Sequence, residues 1–283
     1  MEKVEDQSLW AAFISVIRRR PLRKAAVKSV VSIFYHFFFL QYRAALLPGR
    51  IPVSRVDHPL DGDIPFRPRW VGVYLDFVAF WVRMIGFLLR RYPRSAREPV
   101  RRFIMTMGEL YAFAAEVYVK NLSTTRRPRY YSRPRFALIH LADPHLMCIP
   151  SLHVMVVIRT YTSFRQILRS LGEAERMASR IGELRRGALA ITEAILYVKQ
   201  HSVNCIPAAM YAMTCFDPSL FPPEEAADFA SRLFRDPQSP EQGEAIREYI
   251  IALYHRFLSE GRIARSWKDP LLVFLAARPP AGR

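Results

Sequence analysis

Cysteine is scarce. The 283 residues contain three, none in a Cys-x-x-Cys pair, so a disulfide framework is excluded. Glycine is scarce too, with 11 residues and no repeat period, which excludes collagen-like chains and glycine-rich linkers. Alternating apolar and polar runs and Asn-Gly turns are missing, and with them the signature of β-hairpins. Acid is in deficit: 25 Asp and Glu stand against 42 Lys and Arg, a formal charge of +17 and a pI near 10.3. That balance points to an anionic partner, whether nucleic acid, anionic lipid or a phosphorylated substrate, without choosing among them. The mixed, acidic Met1–Asp6 stretch is followed by neither an immediate apolar region nor a small-residue cleavage site, so a cleavable signal peptide is not expected.

Hydrophobic residues make up 51% of the chain and aromatics 13%, which excludes a disordered chain. The length fits one large domain or two small ones. A basic run, Arg18-Arg19-Arg20 with Arg23, Lys24 and Lys28, precedes an apolar stretch from Val30 to Leu47. This is the pattern of an uncleaved anchor, or of a buried helix with a positive flank. Trp70–Leu89 is the strongest apolar segment and is long enough to cross a bilayer, but carries Asp76 and Arg83 on one helical face. Inside a membrane these two would face a bundle interior or each other. Further apolar segments are Phe103–Val119, Phe136–Ile158, Ala188–Val198 and Val203–Phe216.

Helical segments dominate, so the fold class is all-α. The expected architecture is a membrane-embedded bundle of about five or six core helices. A mean hydropathy of +0.01 is low for a multi-pass protein, although imperfect spans and charged loops average to such a value. A soluble helical protein with buried amphipathic helices is the competing reading. The expected organisation is a basic segment at 1–28, a helical core at 29–217 with a charged helical insertion at about 163–187, and a C-terminal helical extension at 218–283 of unassigned role.

Three local patterns carry chemistry. Lys120 is followed after six residues by Arg127-Pro128; Pro150-Ser151-Leu152-His153 precedes an apolar helix; and Lys199-Gln200-His201 precedes another. His140, His145, Cys148 and His153 form a further cluster of metal-ligand types, but Pro144 and Pro150 break a shared helical face and no metal is expected.

These patterns, in this order, resemble the type 2 phosphatidic acid phosphatase superfamily. It comprises lipid phosphatases, soluble bacterial acid phosphatases and vanadium haloperoxidases. Its motifs are Lys-x6-Arg-Pro, Pro-Ser-Gly-His and Ser-Arg-x5-His-x3-Asp. The Leu in Pro-Ser-Leu-His and the Lys-Gln-His are similar to the branch near inositol phosphorylceramide synthases, as is Asp63-Ile64-Pro65-Phe66-Arg67-Pro68 with Tyr74. The likeness covers about residues 60–215.

The resemblance implies a helical bundle of this superfamily's type and phosphoryl transfer without a cofactor or metal. His201 would be the nucleophile, forming a phosphohistidine, and His153 the acid that protonates the leaving oxygen. Lys120, Arg127 and Ser151 would hold the phosphate. The third motif departs from the pattern. The family's Ser-Arg falls on Ala194-Ile195, and its Asp, which orients the nucleophile, falls on Cys205 with Asn204 beside it. Arg126, Arg129, Arg133 and Arg135 are candidates for the missing charge. The implied partners are a membrane and a lipid or polyprenyl phosphate, and the implied location is a membrane, crossed several times, the cytoplasmic one if the source is bacterial. A catalytically inactive relative that binds anionic headgroups is the alternative. A soluble basic protein binding nucleic acid lacks any helix-turn-helix, zinc or RNA-recognition signature here.

Overall fold

The computed structural model describes residues 2–236 and 238–281. The helices are α1 (Leu9–Ile17), α2 (Arg20–Ile33), α3 (Leu40–Leu46), α4 (Val71–Leu75), α5 (Phe77–Arg91), α6 (Arg97–Tyr118), α7 (Pro134–Ala142), α8 (Leu152–Ser170), α9 (Ala178–Tyr197), α10 (Cys205–Phe216), α11 (Pro223–Ser231), α12 (Gly243–Ile263) and α13 (Asp269–Ala276). Two short strands, β1 (Val53–Arg55) and β2 (Leu122–Thr124), pair in parallel with Val53 opposite Leu122. The all-α expectation holds.

A π-helical turn, Phe34–Phe39, joins α2 to α3 without a break. Arg20 to Leu46 is therefore one rod, about 40 Å long at 1.5 Å per residue. Pro21 opens it, where a missing N–H costs nothing. Its inner face, through Leu22, Ala25 and Ser29, packs on α6. Contact is close because position 108 is glycine: a Cβ there would lie 2.9 Å from the Ser29 Cα. The Ser32 hydroxyl donates to the Gly108 carbonyl at 2.8 Å.

Trp70–Leu89 is not one straight span. The chain bends by 41° between Pro68–Leu75 and Phe77–Arg91. Asp76 sits at the break, and its carboxylate accepts from Arg83. Among the described residues no single helix is long and apolar enough to cross a membrane, while this bent pair passes by length and composition.

Helix α8 is the centre of the molecule and packs on α5, α6, α9 and α10. Residues 163–187, read from their charge as an insertion, are the second half of α8, the turn after it and the first half of α9. The region 218–283 is no appendage either. Helix α12 packs on α10, Arg55 donates to the Pro279 carbonyl at 2.9 Å, and Ala281 donates to that of Val53 at 2.8 Å. Leu271 and Phe274 join the same buried core as Met84 and Val156.

Candidate active site

Helix α8 begins at Leu152, with Ser151 as its N-cap residue. His153 lies in the first turn, its ring stacked 4.5 Å from that of Tyr74 and tilted by 50° at 4.2 Å from that of Phe77. The loop between α9 and α10 brings His201 to it, with ring centroids 5.4 Å apart and planes at 70°. This loop is tied down on several sides. Lys199 has a left-handed φ of 55°, and its ammonium donates to the Asp61 carbonyl. An Asp61 carboxylate oxygen accepts the Val203 N–H at 2.8 Å. Asn204 donates to the Val56 carbonyl at 3.0 Å and accepts from the Tyr249 hydroxyl at 2.5 Å.

A second group approaches from the loop between α7 and α8, which is docked on β2: Cys148 donates to the Ser123 carbonyl at 3.2 Å, and Ile149 to the Ser123 hydroxyl at 2.8 Å. Asp143 accepts the His145 N–H at 2.9 Å, and its other oxygen lies 3.8 Å from both the His145 ring and Arg127. Burial works against charge on both residues. For Asp143 the His145 contacts and Arg127 outweigh it, holding the carboxyl down at about 2. For His145 the Cys148 sulfur and the Asp143 carboxylate outweigh it, pushing the imidazole up to about 9. The two form an ion pair at neutral pH, His145 buried and Asp143 partly exposed.

These residues close the inner end of a cavity of about 370 Å³. Asp143, His145, Cys148, His153 and His201 line that end, while Val30, Phe34, Phe37, Phe38, Val78 and Trp81 line the rest. The outer residues belong to a larger apolar surface. Val27, Val30, Val31, Phe34, Tyr35 and Phe38 are all exposed, Phe34 by 61%. Their spacing is helical, so the rod from Arg20 to Leu46 turns an apolar stripe outward. Leu141, 83% exposed, continues the patch at the end of α7, where the Tyr42 hydroxyl donates to the Ala142 carbonyl.

The structure thus brings together His153 and His201. Arg127 stands one layer behind, donating to the Gln200 side-chain oxygen and the Asp143 carbonyl, each at 3.2 Å. Ser151 is buried beside the site, its hydroxyl without a partner among the described residues. Cys205 is buried at the start of α10, next to Cys148. Lys120 does not join: it is exposed after the end of α6 and outside the cavity lining. Asn204 faces Val56 and Tyr249, so it anchors the loop and not the His201 ring. Arg126, Arg129, Arg133 and Arg135 are exposed. His140 lies on α7 against Tyr131 and Phe136, outside the cavity lining, and no group of three potential metal ligands is assembled among the described residues.

Three participants were missed. Asp61 lies just before the Asp63–Pro68 stretch, and only the fold carries it to the His201 loop. Gln200 sat inside a noted motif without a role. Asp143, two residues before His145, had no local signal. Compared with protein-family models, characterised proteins and solved structures, the chain has no match.

Proposed function

We propose that the protein is a membrane-associated phosphatase or phosphotransferase acting on a lipid or polyprenyl phosphate through a phosphohistidine. One observation carries the reading: two imidazoles set edge to face, their centroids 5.4 Å apart, close a cavity whose other end opens through an exposed apolar face. An amphiphile with one polar end fits such a space, its chain against the Phe34 and Phe38 side and its head at the histidines. A soluble phosphate ester gains nothing from that lining.

The chemistry follows from the two rings. A neutral His201 nitrogen attacks phosphorus, a P–N bond forms and the bond to the leaving oxygen breaks. Burial and the neighbouring His201 push His153 down to about 3 in the free protein, so it takes up the proton that a phosphate monoanion brings and passes it to that oxygen. His153, now neutral, then takes a proton from water or an alcohol, which attacks phosphorus and frees His201. The N-terminus of α8 points amide dipoles at the transferring group. The His145 imidazolium and Arg127 behind Asp143 add positive charge. The location we infer is a bilayer, with the rod Arg20–Leu46 and the bent pair Pro68–Arg91 in contact with lipid and the basic run Arg18–Lys28 at an anionic surface.

A second reading, binding of an amphiphile without turnover, is favoured by one feature: the cavity lining contains no Lys or Arg, and contains Asp143. Phosphate release from a short-chain phosphatidate in detergent, compared with His201→Ala, separates the two. Release that the substitution abolishes supports transfer. Background release from both proteins, with a phosphodiester transfer substrate also unturned, leaves the binding reading.

A further inference from the structure

Helix α8 carries a polar stripe that phosphoryl transfer at the histidines leaves unused. Arg159, Ser163, Gln166 and Ser170 follow one another at four, three and four residues, the spacing of one helical face. They line a second cavity, of about 320 Å³, between α8, the first turns of α6 and Leu220 of the segment after α10. It shares no lining residue with the histidine cavity. Arg159 and Ser163 lie six and ten residues past His153, about 9 and 15 Å along the helix axis.

Both residues are more than nine-tenths buried. Arg159 gives one guanidinium nitrogen to Asp217, just past the end of α10. Its Nε and the Ser163 hydroxyl have no hydrogen-bond partner among the described residues. A helical serine or threonine ordinarily returns its hydroxyl to the carbonyl one turn back. Thr160 and Thr162 of the same helix do so, at 2.7 and 2.8 Å. Ser163 does not. A buried polar group left unpaired is destabilising, and two of them on one cavity wall point to a ligand that pairs them. On the α6 side Arg102 stands at the rim, its side chain 75% exposed, and engages Glu98 through Nε alone, at 3.1 Å. The charged groups of the cavity and their partners are Arg101, Arg102 and Arg159 against Glu98 and Asp217, so positive charge is in excess.

We propose that this cavity is a second anion site, which takes a phosphate group between the Arg159 guanidinium, the Ser163 hydroxyl and Arg102. Asp217 holds the buried guanidinium in place and leaves its remaining donors to the ligand. Phosphate offers acceptor oxygens in several directions, and here the donors come from two helices; a carboxylate offers its two in one plane. The phosphate is inorganic or esterified in a lipid headgroup. Phe103, Ile167 and Leu220 complete the lining with apolar surface for the organic part of an ester. The site stands apart from the histidines and does not depend on their chemistry.

The test is calorimetric titration of the full chain in neutral detergent with inorganic phosphate and, separately, with a short-chain phosphatidate. Wild type is compared with Ser163→Ala, Arg102→Gln, Arg159→Gln and His201→Ala. Saturable binding of at least one probe is expected, weakened about fivefold in Ser163→Ala and about tenfold or more in each arginine variant, and kept in His201→Ala. Binding of both probes identifies the phosphate group alone as the ligand, and binding of phosphatidate only identifies a lipid headgroup. Binding of neither probe overturns the proposal, as does binding that His201→Ala removes and the other three variants leave unchanged. Acetate bound as tightly as phosphate overturns the choice of oxyanion. Ser163→Ala removes an unpaired buried hydroxyl, so without ligand its melting temperature is expected to equal or exceed that of wild type. This separates lost binding from lost folding, and a clear drop would mean that the hydroxyl is paired inside the protein, which also overturns the proposal.

Discussion

Arg127 donates to the side-chain oxygen of Gln200 at 3.2 Å, joining the arginine-rich loop after β2 to the loop that carries His201. The same guanidinium donates to the Asp143 carbonyl, so three segments distant in sequence meet on one planar cation. This gives Lys120 and Arg127, equal partners in the sequence motif, opposite expectations. Arg127→Ala leaves the Gln200 oxygen and a carbonyl unpaired, a cost of about 1–3 kcal/mol, and removes charge behind the site. It is expected to lower the melting temperature by several degrees and turnover at least tenfold. Lys120→Ala is expected to stay within about 0.5 kcal/mol of wild type and to keep turnover. Thermal unfolding and phosphate release on both variants check this, and a large loss in Lys120→Ala would restore the lysine to the site.

The outward stripe of the long helical rod gives a second expectation. Phe34 and Phe38 are exposed in the isolated chain, so Phe34→Glu with Phe38→Glu removes no core packing. The double variant is expected to keep its melting temperature while losing flotation with vesicles of mixed zwitterionic and anionic lipid. Unchanged flotation would remove this face from membrane contact.

Stability is expected to fall between pH 5 and 8 through Glu193. Burial raises this carboxyl to about 7, against the Phe234 N–H that donates to it at 2.6 Å. The folded pKa lies above the unfolded one near 4.5, so the folded state binds the extra proton. The contribution is complete below pH 4.5 and is lost as pH rises through 7. Its size is a few kcal/mol at about 1.4 kcal/mol per unit. Urea unfolding of wild type and Glu193→Gln across this range should show the slope in the first and a shallower one in the second. His145 acts alike in both proteins, over the higher window from 6.5 to about 9.

Gly108 tests the seating of the rod. Its missing Cβ would lie 2.9 Å from a Ser29 backbone atom and 3.2 Å from the Ser32 Cβ, and neither can swing away. Gly108→Ala is expected to destabilise by about 1–3 kcal/mol, despite the better helix propensity of alanine. Denaturant unfolding of the variant gives the number, and a gain in stability would mean that the rod sits further from α6.

The helical class was legible from composition and spacing alone, because long apolar segments without strand signals leave few other solutions. So was the pairing of His153 with His201: each opens or precedes an apolar helix, and two antiparallel helices, α8 and α9, lie between them. Local sequence also set the Asp76–Arg83 contact, as residues seven apart share a helical side. It could not show that the helix breaks at Asp76. The charge of 163–187 suggests an insertion between core helices, yet long arginines on α8 and α9 pair with Glu225 and Asp228 of α11, and only folding brings these carboxylates near. Asp61, Asp143 and Tyr249 reach the site by the same route, across separations that no local pattern encodes. Residue type and period thus determined which helices form and which histidines open them. Tertiary packing decided which charges face the cavity, and it placed Arg127 near the histidines and left Lys120 in solvent, because a side chain's partner is a property of the assembled core.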